Sequence, residues 1–403
     1  MCHLRFFVLT LVLTLSTPVL VFAQSAEREV VAPEGADLTR PYSPAVRFGD
    51  FVYLSGSVGN EPGGPLKEGF QAQARQVFEN LGSGLKAAGL DFSRVVQLEA
   101  FLSDARYFQD FNEIYLQYFA DAKPVRATVA ADLPLTGALL EVSVIAARQD
   151  LPLRRLVPEG WMPSSRYSWG IKAADTLFIA GMVPRDVPAG RLIGGDIGAQ
   201  TRQSLNNVGA VLKAAGMDFG DVTACKVYLV DARHFARMNA AYREFFPFQD
   251  PPSRATVRAP LMSTAAGIEI LCTAVDDPQR QVVMAEGASR PSSPFSPAIQ
   301  AGGRLFLSGM VGRGPEGYGD FRAQTRQTLE NLLATLQAAG LDYTDVLEAN
   351  VWLADIRYYD DLNDIYSQML PEGPPARTTV GMHLMAPQAL VEIRMLAGKP
   401  NSP

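Results

Sequence analysis

Val125-Arg126-Ala127-Thr128-Val129, Ser253-Arg254-Ala255-Thr256-Val257 and Ala376-Arg377-Thr378-Thr379-Val380 are one short phrase written three times. Each arginine is followed fifteen residues later by a carboxylate: Glu141 (141−126), Glu269 (269−254) and Glu392 (392−377). Upstream, three copies of Ala-Ala-Gly-(Leu/Met)-Asp end at Asp91, Asp218 and Asp342, at steps of 127 and 124 residues. That period is far longer than the roughly 20–50 residues of solenoid units, so each copy is read as a domain with its own core. The domains are set at residues 40–149, 160–276 and 289–399.

Within the first copy the order of elements is readable. Phe51-Val52-Tyr53-Leu54 is a short strand entered by a turn at Gly49-Asp50, and residues 61–69 form a Gly/Pro loop. Phe70, Ala74, Val77, Leu81, Leu85 and Ala88 then recur at helical steps, with Gly89 at the C-terminal cap position. Val95 to Leu102 is β-rich, and Phe108, Phe111, Tyr115 and Tyr118 mark a second amphipathic helix. Arg126 to Val129 opens a strand that Leu133-Pro134 breaks; Leu140, Val142, Val144 and Ala146 then alternate with Glu141, Ser143 and Ile145. The pattern is β-α-β-α-β-β with an extra N-terminal strand or hairpin, an α+β layer with two helices on one face of a mixed sheet. The other face is still rich in Leu, Val, Ile and Phe, which an isolated domain rarely leaves wet. Three tethered copies would cover it by packing those sheets on one another as a pseudo-trimer. The stretches 150–160 and 276–291 are long enough to pass between domains, at about 3.3 Å per residue.

Composition narrows the function. Of 403 residues 47% are hydrophobic, ample for three cores. The net charge of −6 and the absence of any basic run argue against a nucleic-acid partner, which needs a cationic footprint. Arg5, the apolar run Phe6 to Phe22 and the small Ala23 read as a signal peptide over residues 1–23, cleaved after Ala23. The mature chain is therefore expected to be periplasmic or secreted, with no membrane association after cleavage. Cys225 and Cys272 fall in probable strands of the second copy; two buried free thiols are the plain reading, and an exported compartment permits a disulfide. Two isolated histidines, His234 and His383, make no metal site. Gly312-Arg313-Gly314-Pro315-Glu316-Gly317 matches a dinucleotide fingerprint only in letters, since no strand–turn–helix surrounds it.

The segments Gln73-Ala74-Arg75-Gln76, Gln200 to Asn207 with Ala214-Ala215-Gly216, and Pro375-Ala376-Arg377 with Val391-Glu392-Ile393 resemble the RidA (YjgF-type) family of enamine/imine deaminases. The resemblance covers nearly all of each copy. It implies a chorismate-mutase-like fold, a trimer with active sites in clefts between subunits, and hence a chain that is a covalent version of that trimer. It assigns substrate binding to Arg126, Arg254 and Arg377, the water-positioning carboxylate to Glu141, Glu269 and Glu392, and the helix asparagine to Asn112, Asn239 and Asn363. Its tyrosine falls on Tyr42 and Tyr167, with Phe295 in the third copy. Its serine falls on Ser55 and Ser308, with Ala180 in the second. Thr128, Thr256 and Thr379 stand where a cysteine is common, so no thiol chemistry is expected. Only the first copy holds the whole set, which ranks Arg126 as the most sensitive arginine; clefts that borrow from two domains would redistribute it.

The residue types suit the chemistry on their own terms. A 2-imino acid presents a planar carboxylate beside a C=N bond, and guanidinium clamps such a carboxylate through two hydrogen bonds. A carboxylate on a neighbouring strand can hold and polarise the attacking water, so neither metal nor cofactor is required. The plainer possibility is that Arg and Glu on adjacent strands form a structural ion pair. The expected function is hydrolysis of 2-imino acids to 2-keto acids and ammonia by a monomeric pseudo-trimer. The alternative is a non-catalytic small-molecule-binding or holdase-type protein on the same scaffold; a ribonuclease comes third on charge grounds.

Overall fold

The computed structural model describes Met1, residues 27–246 and residues 249–399. Apart from Met1, the expected signal peptide lies outside the described residues. In the first repeat, β1 (Glu29–Val31), β2 (Ala45–Phe48), β3 (Phe51–Val58), α1 (Phe70–Ala87), β4 (Val95–Leu102), α2 (Phe108–Tyr118), β5 (Val125–Ala130) and β6 (Leu140–Ala147) follow in turn. The sheet order is β1-β2-β3-β6-β4-β5. Only β4 and β5, joined through α2, run parallel. The other two repeats reuse the plan.

The repeated Ala-Ala-Gly-Leu/Met-Asp phrase is a helix stop. Gly89, Gly216 and Gly340 hold φ of 72°, 76° and 74°, the left-handed region where a Cβ is penalised. Two residues on, Asp91, Asp218 and Asp342 accept from the backbone N–H groups of Ser93, Gly220 and Thr344, capping a short turn. The chain is thereby aimed into β4 and its equivalents Val222–Leu229 and Val346–Leu353, whose residues are all buried. One face of β4 (Leu98, Ala100, Leu102) packs with Val77, Phe78 and Leu81 of α1 and Phe111 and Tyr115 of α2. On the opposite side Phe101 meets Tyr228 and Trp352 of the other two repeats.

The repeats are joined pairwise by hydrogen bonds. The backbone N–H groups of Ser43, Ser168 and Ser296 donate to Pro375, Pro124 and Pro252, linking repeat 1 to 3, 2 to 1 and 3 to 2. Elsewhere Asp132 bridges Gly381 and Val129 bridges Leu261. Val257 and Arg258 likewise pair with Leu384 and His383.

Three expectations change. The stretches between repeats are not bare linkers: Leu153–Leu156 and Gln281–Val283 are edge strands of the sheet that follows, as β1 is in repeat 1. The inward faces are not simply apolar, because Glu99, Lys226, Glu348 and Arg394 are buried there. Lys226 Nζ donates to Glu99 at 2.5 Å, and Tyr228 donates to the other carboxylate oxygen at 3.1 Å. Finally, Cys225 and Cys272 form a disulfide. They are directly opposite each other on antiparallel strands, with Cα atoms 4.2 Å apart. That spacing fits the closer type of cross-strand pair.

Candidate functional site

The sheet order decides which side chains can meet. Arg126 is on β5 and Glu141 on β6, but β4 lies between those strands. Two inter-strand steps are about 9.5 Å, so the arginine and glutamate of one repeat are not the adjacent-strand pair their spacing suggested. The arginine of each repeat instead faces the glutamate of the next. Arg377 acts electrostatically on Glu141, Arg126 on Glu269 and Arg254 on Glu392.

At the junction of repeats 3 and 1, Arg377 Nη2 donates to Asn363 Oδ1 at 2.5 Å. Its backbone N–H donates to Ser55 Oγ at 2.8 Å, and that hydroxyl donates to the Ser43 carbonyl at 2.6 Å. Ser55 is therefore placed as a tie between repeats that fixes the arginine's strand. Rings of Tyr42 (5.2 Å), Tyr366 (4.9 Å) and Tyr359 (5.7 Å) surround the guanidinium carbon. All five residue types of the motif meet here: Arg377 and Asn363 from repeat 3; Tyr42, Ser55 and Glu141 from repeat 1.

The junction of repeats 2 and 3 is nearly the same. Arg254 Nη2 donates to Asn239 Oδ1 at 2.7 Å and its backbone N–H to Ser308 Oγ at 2.8 Å. The first ring, however, is Phe295, at 5.7 Å. The junction of repeats 1 and 2 departs further. Ala180 stands in the serine position, and Asn112 donates its amide to the Phe108 carbonyl at 2.7 Å, with no hydrogen bond from Arg126 to its Oδ1. Tyr167 lies 5.9 Å from the guanidinium carbon. The first copy thus holds every letter of the motif, yet Arg126 occupies the least complete cleft.

A break in strand register seats each glutamate, a bulge beside Glu141 and Glu269 and an interrupted strand beside Glu392. The register of β3 against β6 slips between Leu54 and Ser57, next to Glu141. A Cβ at Gly56, Gly181 or Gly309 would collide with Oε1 of Glu141, Glu269 or Glu392, so the carboxylate lies directly on glycine backbone. The neighbouring repeat contributes a backbone N–H from Thr379, Thr128 or Thr256 to the carboxylate. Burial outweighs that bond and the arginine opposite, and pushes all three carboxyls up to about 8. Burial lowers Arg254 to about 10 and also lowers Arg126.

At each junction polar atoms are buried without a partner among the described residues: Nη1 of Arg126, Arg254 and Arg377, and Oγ1 of Thr128, Thr256 and Thr379. Glu141 Oε2 is in the same state. Buried polar groups are rarely left so, and an arginine N–H beside a hydroxyl and a protonatable carboxyl suits a small anion with a polar neighbour. Among the described residues no group of three or more His, Cys, Asp or Glu side chains could hold a metal.

The sequence profile of the endoribonuclease L-PSP family matches residues 34–148, 160–276 and 286–399. The chain belongs to this family. Its relatives match one L-PSP repeat at a time. Reactive Intermediate Deaminase A of Arabidopsis thaliana is 41% identical over 130 residues, 31% of this chain and 69% of that protein. The human 2-iminobutanoate/2-iminopropanoate deaminase is 37% identical over 113 residues, 28% of this chain and 82% of that one. A solved chorismatase structure covers 76% of the chain and 93% of its own, at a TM-score of 0.50 and 16% identity, a likeness of fold alone.

Within the L-PSP repeats the sequence reading passed over two contributors. The threonines were noted only as lacking a thiol, although they supply an amide to the glutamate and a free hydroxyl to the cleft. Tyr115, which the sequence places only in the apolar pattern of its helix, and its counterparts Tyr242 and Tyr366 line the arginines at 4.7, 4.7 and 4.9 Å. Their helical spacing fits packing and site equally well, so only geometry separates the two.

Proposed function

We propose that the chain is an exported imine deaminase that hydrolyses 2-imino acids to 2-keto acids and ammonia in clefts between its repeats, arranged as a pseudo-trimer. The observation that carries the reading is the pairing across each junction of a buried arginine with an unpartnered Nη1 and a buried glutamic acid raised to about 8. Its relatives' names point the same way. The Cys225–Cys272 disulfide is in keeping with an oxidising compartment. A chain of net charge −6, whose motif arginines are buried, offers RNA no cationic track.

In this mechanism Arg377 clamps the substrate carboxylate beside Glu141. The neutral carboxyl gives its proton to the imine nitrogen, which makes C2 more electrophilic. The resulting carboxylate takes a proton from water as the water oxygen bonds to C2, forming a carbinolamine. The carboxyl then protonates the amino group, ammonia leaves as C=O forms, and the hydroxyl proton returns to Glu141. The tyrosine rings exclude bulk water, which keeps the arginine's electrostatic pull strong.

The cleft between repeats 3 and 1 has the complete set, so the expected ranking is Arg377 first, Arg254 second and Arg126 last, whereas the copy-by-copy reading places Arg126 first. The test is keto-acid release from freshly generated 2-imino acids by the three Arg→Ala variants and the triple variant, each checked for folding. Loss of one clamp removes a charge-assisted contact of roughly 1.5–3 kcal/mol, about ten- to a hundredfold at its own cleft. An unchanged triple variant would remove arginine-dependent deamination and leave the binding-protein reading.

A further inference from the structure

The two clefts with an ordered Arg–Asn clamp have different walls. Around Arg377 the rings nearest the opening are Tyr42 and Tyr359, both half-buried; around Arg254 the equivalent rings are Phe295 and Phe235, at 5.7 and 5.8 Å. Two phenol hydroxyls in one cleft are thus replaced by two C–H edges in the other. The ring of Tyr359 lies 5.7 Å from the Arg377 guanidinium carbon, and its phenol is held up by burial and pulled down by Arg377, which places it among the groups that would contact substrate. Tyr42 is further committed: its oxygen accepts from Arg40 Nη1 at 2.8 Å, which leaves the phenolic proton free to donate and polarises it. Arg40 is exposed beside Tyr42 and is partly shared with Asp37, 3.5 Å away; Ser165 and Ser293 stand in its place in repeats 2 and 3. Beside Arg254 the next cation, Arg243, is turned to the Ser292 carbonyl.

Resting on the deaminase reading, we propose that these two clefts divide the substrates: the cleft of repeats 3 and 1 takes 2-imino acids whose side chain carries a hydrogen-bond acceptor, above all a second carboxylate, and the cleft of repeats 2 and 3 takes those with apolar side chains. With the shared carboxylate on the arginine and C2 facing the glutamate, the side chain is left against the aromatic wall. A second carboxylate there finds two phenol donors and the Arg40 charge in one cleft. In the other it would be desolvated against Phe295 and Phe235 with no donor, which burial of a charge does not tolerate. An isobutyl or benzyl side chain inverts the preference, because it leaves the phenols unpaired while it fits the phenylalanines. The cleft of repeats 1 and 2, with neither serine tie nor Arg–Asn clamp, falls outside the division.

The experiment uses the full chain and two imines, generated by amino-acid oxidases from L-glutamate and from L-leucine, with keto-acid release as the readout. Arg377→Ala should lose at least about tenfold in kcat/KM on the glutamate-derived imine and little on the leucine-derived one; Arg254→Ala should do the converse. Tyr42→Phe should move the ratio of the two kcat/KM values toward leucine and Phe295→Tyr toward glutamate. These swaps differ from the wild type by one oxygen, so they decide the matter even if an arginine variant folds poorly. Arginine variants that lose both substrates in equal proportion, or a ratio unmoved by the swaps, overturn the division while the deaminase reading stands. A wild-type chain active on only one imine also overturns it. A chain that hydrolyses neither removes the underlying reading as well.

Discussion

Glu141, Glu269 and Glu392 each lie 3–7% exposed and carry a carboxyl pushed up to about 8. Two consequences follow at the residue scale, with opposite signs for rate and stability. If the neutral acid starts the reaction, kcat/KM should fall as pH rises through about 8, and Glu141→Gln should lose both the activity of its cleft and that alkaline limb. A rate that instead rises through pH 8, after correction for spontaneous hydrolysis, would mean that the carboxylate is the starting form. For stability the folded chain binds more protons than the unfolded one between the ordinary carboxyl range and about 8. Stability therefore declines with rising pH across that window. Replacing all three glutamates by glutamine should leave the chain little changed near pH 4 and stabilise it progressively toward pH 8, by on the order of 1 kcal/mol or more. Urea melts at the two pH values measure this, and an equal effect at both would show that the carboxyls are not held neutral. The sequence identified these glutamates by their constant distance from an arginine. It could not disclose their protonation, which depends on burial beneath a neighbouring repeat.

At the scale of elements, the helices and inner strands were legible because their apolar periodicity is undisturbed: α1 and α2 begin at Phe70 and Phe108, the first apolar residue of each pattern. The edge strands in the inter-repeat stretches were not, since Leu153–Leu156 and Gln281–Val283 are four and three residues of mixed polarity supported by a partner strand. The bulge at Ser55-Gly56 was equally hidden, though the Ser-Gly pair marked the place. Gly56→Ala should force the Glu141 carboxylate off its seat and cost about 1–3 kcal/mol through overpacking, with most of the activity of that cleft. Full activity in a well-folded Gly56→Ala chain would show the close approach to be incidental. The disulfide offers a second test. It closes a loop of 47 residues, for which the chain-entropy account gives about 4 kcal/mol. The Cys225→Ala/Cys272→Ala pair should melt markedly lower than the oxidised chain, and no change in melting would make the bond dispensable.

The whole molecule explains why the repeats are joined in one chain. In an assembly of identical copies a residue on the shared axis meets only itself, so an opposite-charge pair cannot form between equivalent positions. Here equivalent positions have diverged: Glu99, Lys226 and Asn350 are each paired with the same strand partner position, occupied by Ser143, Leu271 and Arg394. Glu99 of repeat 1 meets Lys226 of repeat 2, both under a tenth exposed, while Arg304 of repeat 3 reaches Asp175 of repeat 2 and packs over Phe51 of repeat 1. The same divergence makes the clefts unequal, because each draws its arginine from one repeat and its glutamate from the next. Reading motifs copy by copy therefore cannot tell which residues share a junction. Buried ion pairs of this kind add little net stability but punish the loss of one member, since the survivor stays buried and unpaired. Lys226→Met should accordingly destabilise the chain by about 3–5 kcal/mol, leaving Glu99 with only the neutral donors Tyr228 and Gln97. Adding Glu99→Gln to it removes the stranded charge and should return most of the loss. Chemical denaturation of the single and double variants gives the comparison. A double variant no more stable than Lys226→Met alone would show that the contact contributes packing and no charge specificity.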